Sequence, residues 1–287
     1  MPNIMIQVPL TWGGLGDNLA FSTLPELFAD TDIDVYLSSK CMVRNNGITD
    51  LVWKPNPYIK GVIDPAEFTM SMANEKGLVL AHGFEFDFEE QYKTGWNGTI
   101  VNKWEEIAST IMLQKPMRSV SGLPAVYYKA CESSKVDGDY IVLDFSAVST
   151  QGDYNYEAYW KVVQQRHNGE RILIPKFRDK HGKITSPTPE KHGVMLPYEF
   201  VELSNIFDYV DLVAHAKKFY TVYAGMNTLA PVYQKDITTF MPNRYNLGGP
   251  CCKMIGDKIS GRARLMREYT CEFMFPSVEY YAWWEHK

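Results

Sequence analysis

The chain has 287 residues, 45% of them hydrophobic and 22% charged, and a formal net charge of −5. That length suits two domains, and the composition is that of an ordinary globular protein. The acidic balance offers duplex DNA no basic field, and no apolar run reaches the ~18 residues needed for a membrane-spanning helix.

Ile4 to Val8 is a short apolar run that predicts a first β-strand. The stretch Pro9 to Asn18 follows, with Gly13, Gly14, Gly16 and a single carboxylate, Asp17. The glycines predict a sharp turn into a helix over Leu19–Ala29. In an open α/β sheet this is where ligands bind, against the unpaired N–H groups of a helix start. The pattern is neither GxGxxG nor a P-loop. On spacing alone it is equally a plain strand–helix turn with Asp17 as the helix N-cap. Ile33 to Leu37 predicts a second strand. Leu51-Val52-Trp53 and Val62-Ile63 are apolar pieces around the turn Pro55-Asn56-Pro57. Leu78 to Ala81 predicts a buried strand that ends at His82-Gly83. From Thr99 to Leu113, the residues Ile100, Val101, Trp104, Ile107, Ala108 and Ile111 share one helical face. Pro116 and Pro124 break that pattern, and the polar stretch 129–138 is the expected domain boundary.

The alternation then restarts. Tyr140 to Phe145 predicts a strand, 146–155 a polar loop, Tyr156 to His167 an amphipathic helix and Arg171 to Pro175 another strand. A polar, proline-bearing loop spans 176–193 and opens with Lys176 and Arg178. Phe200 to Leu203 predicts a strand, Phe207 to Lys218 a helix, and Phe219 to Tyr223 a strand that leads into Gly225-Met226-Asn227-Thr228. A helix opened by that glycine would favour an anion at its start. The tail carries Lys258, Arg262, Arg264 and Arg267, then Tyr280, Tyr281, Trp283 and Trp284. Acidic residues dilute its charge, so it reads as a C-terminal helix packing aromatics onto the body. The five cysteines form no CxxC pair and no zinc spacing. An odd cysteine count and a first strand beginning at the N-terminus point to a reducing compartment, the cytoplasm.

Three segments resemble the bacterial lipopolysaccharide heptosyltransferases and their relatives, glycosyltransferases of the GT-B architecture. Gly14-Leu15-Gly16-Asp17-Asn18, with Pro25 on the following helix, resembles the family's S-L-G-D-x-x-x-x-x-P segment. Asn56 to Ile63 resembles N-P-x-x-D-x-V-I. Asp211 to Pro231 resembles a helix, a strand and D-S-G-x-x-H-x-A. The resemblance implies an α/β fold of the GT-B type, with two Rossmann-like domains facing across a cleft. Residues 1–132 would form the acceptor domain, 139–265 the nucleotide-sugar domain, and 266–287 a helical tail returning toward the first domain.

It also implies inverting, metal-independent transfer from a nucleotide-sugar donor to a glycan or other hydroxyl-bearing acceptor, without a cofactor. Asp17 would be the general base. Gly14, Gly16, Asn18, His82 and Asp87, with Glu85 beside them, would lie on the acceptor side. Ser149, Thr150, Gln151, Lys176, Gly225, Met226, Asn227 and Thr228 would hold the donor. Trp12, Trp96 and Trp104 are candidates for stacking on sugar rings, although Trp104 on its apolar helix face reads as core. The chain departs from the family at the third segment. Tyr223 and Thr228 stand where the family has Asp and His, and the lysine of the first loop in the second domain is missing. Those departures favour a second reading, a GT-B-shaped protein that binds a nucleotide or glycan without turnover. A structural component of a larger assembly is a third.

Overall fold

A computed structural model describes residues 3–8, 13–41, 43–71, 78–81, 98–115, 122–132, 136–146, 154–178, 181–234, 236–241, 275 and 277–281. It divides into two compact units, Met1–Tyr128 and Lys129–Lys287.

In the first unit, β1 (Asn3–Gln7) is followed by α1 (Leu15–Ala20), α2 (Leu24–Leu27) and β2 (Asp34–Ser38). Next come α3 (Asn46–Ile48), which runs into a π-helical turn at Thr49–Trp53, and β3 (Ile59–Ile63). The helix α4 (Pro65–Ser71), the strand β4 (Leu78–Ala81) and the helix α5 (Ile100–Leu113) complete it. All strand pairs are parallel, in the order β3-β2-β1-β4. Consecutive Ile4, Met5 and Ile6 are all buried, because a parallel strand is covered on both faces. Above them Phe21 stacks on Trp104, with ring centroids 4.4 Å apart. Trp104 is 0% exposed, so its ring belongs to the core and not to a sugar.

The expected single helix over Leu19–Ala29 is two short helices that begin at Leu15. Ser22 interrupts them by turning its hydroxyl back to the Leu19 carbonyl at 2.8 Å, and Pro25 in the first turn of α2 donates no N–H. Leu51-Val52-Trp53 lies in the π-helical turn and is fully packed inside.

In the second unit, β5 (Ile141–Asp144), α6 (Tyr156–Arg166), β6 (Ile172–Lys176) and β7 (Glu199–Glu202) are followed by α7 (Ile206–Ala214), β8 (Lys218–Val222), α8 (Gly225–Tyr233), β9 (Ile237–Phe240) and β10 (Glu279–Tyr281). The six strands are parallel, in the order β10-β9-β8-β5-β6-β7. Counted from β5 this is the doubly wound Rossmann order. Its core is aromatic: Phe145, Tyr159, Trp160, Tyr220 and Phe240 are almost wholly buried among Ile141, Leu143, Ile172 and Ile174. Much of the high aromatic content is therefore consumed by packing.

The second unit begins at Lys129, the first residue of the polar stretch 129–138, and the Cys131 backbone is held on α7. Its N–H donates to Asp211 Oδ1 at 3.0 Å, and His215 Nε2 donates to its carbonyl at 2.8 Å. The tail is not helical where it is described. Glu279-Tyr280-Tyr281 extends the second sheet beside β9 as β10, since the free edge of β9 offers backbone partners that outweigh a helical preference. Lys258 to Arg267, Trp283 and Trp284 lie outside the described residues.

Polar contacts at the N-terminal edge of the sheet pin β10. Arg166, at the end of α6, binds Glu279 through two hydrogen bonds of 2.9 Å, and the Thr238 hydroxyl donates to the same carboxylate. Burial alone would raise the Glu279 carboxyl, but the Arg166 and Thr238 hydrogen bonds outweigh it and hold the group below its ordinary value. The stabilisation is thus present above the ordinary Glu value and is lost as pH falls through the folded one. With both side chains partly exposed and screened, Glu279→Gln is expected to lower stability at neutral pH by about 0.5–1 kcal/mol. Urea denaturation checks this: the deficit should shrink as pH falls below the ordinary Glu value, and equal stability at neutral pH would contradict it.

Candidate functional site

In the first unit the glycine turn shapes the approach to α1. Gly13 has φ of 44°, a left-handed conformation that side chains rarely adopt, and its carbonyl accepts the Arg44 N–H at 2.9 Å. Gly14 is extended and is the N-cap of α1. Asp17 is therefore not the N-cap. It stands in the third helical position, and its Oδ2 accepts the Gly14 N–H at 3.0 Å. This is half of a capping box, required because a glycine cap has no side chain to reciprocate. Burial pushes the Asp17 carboxyl above its ordinary value, against the Gly14 hydrogen bond and the Arg44 charge.

Asn18, the next residue, is wholly buried. Its Nδ2 donates to the Gly14 carbonyl at 2.8 Å, and its Oδ1 accepts the Trp53 Nε1–H at 2.8 Å. Asn18 therefore fixes the turn and does not face an acceptor as expected; its role is to hold Asp17's helix start in place. Gly16 sits half-buried in the first turn of α1. Trp12, His82, Glu85, Asp87 and Trp96 lie outside the described residues.

In the second unit, β5 and β8 are neighbours whose chains leave the sheet in opposite directions, which is the switch point of the topology. After β8, Tyr223 and Ala224 lead into α8. Ala224 is its extended N-cap and makes no side-chain cap. The residues Met226, Asn227 and Thr228 are buried, and Asn227 Oδ1 accepts the Thr239 hydroxyl at 2.8 Å. The Thr228 hydroxyl is not presented at the helix start as expected. At 1% exposure its side chain faces the core, and a phosphate at this helix start would meet the main chain of Gly225 and Met226.

Lys176 does lie at the end of β6, but it is paired. Its Nζ is 2.5 Å from Glu202 Oε1, and Arg178 binds the same oxygen at 3.0 Å. The register of β6 with β7 sets Lys176 directly opposite Glu202, so in place of the expected donor contact it makes an ion pair that it shares with Arg178. Ser149, Thr150 and Gln151 lie outside the described residues. Among the described residues, no group of three or more His, Cys, Asp or Glu side chains could hold a metal ion, and no helix is long and apolar enough to cross a membrane.

One pair at this edge was missed from sequence. Asp144 ends β5 with its side chain buried; Oδ1 accepts the Ser146 N–H at 2.8 Å, and Oδ2 accepts the Tyr209 hydroxyl of α7. The signal was a carboxylate closing an otherwise apolar strand, Ile141-Val142-Leu143-Asp144. Burial pushes the Asp144 carboxyl up despite its bonds to Tyr209 and Ser146, and burial together with the Asp144 charge pushes the Tyr209 phenol far up.

Asn18→Ala strands the buried Trp53 N–H and should cost about 1–3 kcal/mol in denaturant titrations; a smaller loss would contradict the tie. A raised folded value means that folded Asp144 keeps its proton where the unfolded chain has released it. Stability of the native protein should therefore fall, relative to Asp144→Asn, as pH rises above about 3.9. Parallel stability curves for the two proteins would contradict this.

No protein-family model matches the chain, and no curated protein matches it in sequence. Solved structures match in fold. TibC, an iron-containing dodecameric glycosyltransferase from enterotoxigenic E. coli H10407, aligns at TM-score 0.52 and 14% identity over 83% of this chain, which spans only 59% of the TibC chain. A family 9 glycosyltransferase from Veillonella parvula DSM 2008 aligns at TM-score 0.52 and 8% identity, covering 95% of this chain and 97% of that one. E. coli heptosyltransferase WaaC with ADP aligns at TM-score 0.51 and 12% identity, covering 98% of this chain and 93% of that one. The chain thus has the parallel-sheet α/β fold of the heptosyltransferase-type glycosyltransferases of the GT-B class.

Proposed function

We propose that this chain is a glycosyltransferase that moves a sugar from a nucleotide-sugar donor to a hydroxyl acceptor, by metal-independent inverting transfer. The observation that carries this reading is the switch point of the second sheet, where α8 begins at Gly225 without a side-chain cap. Unpaired N–H groups and the helix dipole there favour the diphosphate of a donor. The WaaC structure, which shares this fold, is of a complex with ADP. In this reading the first unit serves the acceptor through Asp17, Gly14, Gly16, His82 and Asp87. The second serves the donor through Gly225 and Met226, with Ser149, Thr150 and Gln151 from the loop after β5. Cytoplasmic residence belongs to the same proposal; Cys41 and Cys131 are both free thiols.

Asp17 is the proposed base. Its carboxylate takes the proton of the acceptor hydroxyl, the resulting oxygen attacks the anomeric carbon, and the bond from that carbon to the diphosphate breaks. The diphosphate leaves with the bonding electrons, its charge facing the start of α8. A carboxyl raised by partial burial is a better proton acceptor than an ordinary one, and the Gly14 N–H holds it in place.

A second reading, nucleotide or glycan binding without turnover, draws on specific observations. Lys176 is paired with Glu202, the Thr228 side chain is buried, and Tyr223 replaces the acid of the family motif.

The test is transfer from a panel of nucleotide sugars by three proteins. Asp17→Asn should keep donor affinity and lose about 10²–10⁴ in turnover. Gly225→Val, which crowds the start of α8, should remain folded and lose nucleotide binding. Turnover by the wild type should survive a chelator. Near-normal transfer by Asp17→Asn would remove it as base, and nucleotide binding without any transfer by the wild type would establish the second reading.

A further inference from the structure

Tyr154 joins the two loops that border the switch point of the second sheet. It lies between β5 and α6, immediately before Asn155, the N-cap of α6. Its hydroxyl donates to the Tyr223 carbonyl at 3.0 Å, and Tyr223 is the first residue after β8. The Tyr223 N–H in turn donates to the Phe240 carbonyl at 3.2 Å, at the end of β9. Both peptide groups of Tyr223 are thus anchored, one to the strand beside it and one to the loop across the switch point. The next residue but one is Gly225, where α8 begins. The peptide group that Tyr154 grips joins Tyr223 to Ala224, the N-cap of α8.

The ring of Tyr154 is itself fixed. It is 6% exposed and packs at 5.7 Å from the Tyr156 ring and edge-on at 6.3 Å from Tyr159. Its phenol therefore reaches Tyr223 from a rigid base, with little rotamer freedom left to lose. We infer that Tyr154 is a positioning residue for a nucleoside diphosphate: its hydroxyl straps the β5–α6 and β8–α8 loops together and aims the start of α8 at the ligand. The inference rests on the donor reading above and adds to it a residue that touches no ligand. Tyr154→Phe removes the strap and leaves the ring in the core.

The experiment measures binding of ADP, UDP, GDP and CDP, each in turn, to the full chain by calorimetry, for wild type, Tyr154→Phe and Tyr220→Phe. Tyr220 is the control. Its ring belongs to the same core, but its hydroxyl is hydrogen-bonded to His167 Nε2 at 2.7 Å, at the opposite edge of the sheet. Loss of one hydrogen bond in the strap should weaken the preferred nucleotide roughly 3–10-fold in Tyr154→Phe, with Tyr220→Phe binding as wild type does. Equal affinity in Tyr154→Phe and wild type, or equal losses in both variants, overturns the inference. If the wild type binds none of the four, the donor reading falls, and amide hydrogen exchange in the unliganded protein judges the strap separately. Faster exchange at Ala224, Gly225 and Met226 in Tyr154→Phe alone supports it, and unchanged exchange overturns it.

Discussion

The parallel pairing of β5 with β8 is the constraint from which the rest of the second unit follows. It sets Ile141 beside Lys218 and Asp144 beside Thr221, bringing together two halves of the unit that each wind away from the join. Once those strands are adjacent, the crossovers to α6 and α8 must leave on opposite sides, and the carboxyl ends of both strands open onto the same crevice. Asp144, Ser146, Tyr154, Tyr223 and the start of α8 all take their places from that one pairing. Apolar strands buried on both faces supply the driving force, and the aromatic cluster around Phe145 and Phe240 fills the space between sheet and helix.

The two edges of this sheet differ in polar chemistry. At the N-terminal edge the charges are matched: Arg166 and Lys218 meet Glu279 and Asp236, and His167 lies between Glu170 and Tyr220. Such an edge holds the ends of strands and costs little, since its ions stay partly hydrated. At the C-terminal edge a carboxylate is buried against a phenol, and a helix begins without a side-chain cap. Burying an acid and starting a helix without a side-chain cap both cost free energy.

Much of the fold was legible because parallel strands read as unbroken apolar runs. Ile4–Val8, Ile33–Leu37, Tyr140–Phe145 and Phe219–Tyr223 all correspond to strands, and α5 was visible from its spacing, although Ile111 of its expected apolar face is exposed and Asn102, Glu105 and Ser109 are buried. What escaped depended on partners distant in sequence. The Asn18 side chain is explained by Trp53, which a sequence pattern does not place beside it. Lys176 looked like a donor contact, and only the register of β6 and β7 sets Glu202 opposite it. Thr228 looked available because a helix start predicts exposed N–H groups but not which way the side chains turn. Asp17 was misplaced within its helix because several glycines in succession allow the turn to end at more than one residue, and Gly14 took the cap. Glu279 to Tyr281 is too short and too mixed to signal a strand, and only the open edge of β9 makes it one. The glycine turns themselves were readable, since they follow strands at sheet ends, whereas the contacts around them were not.

In the proposed reading, the crevice of the second sheet receives a nucleoside diphosphate at the start of α8. Backbone amide chemical shifts, followed while such nucleotides are titrated into the isotopically labelled chain, locate the binding site. The largest changes should fall on Gly225 and Met226, with smaller ones at Phe145 and Ser146. Changes confined to the first unit, or to the N-terminal edge around Arg166 and Glu279, would contradict it.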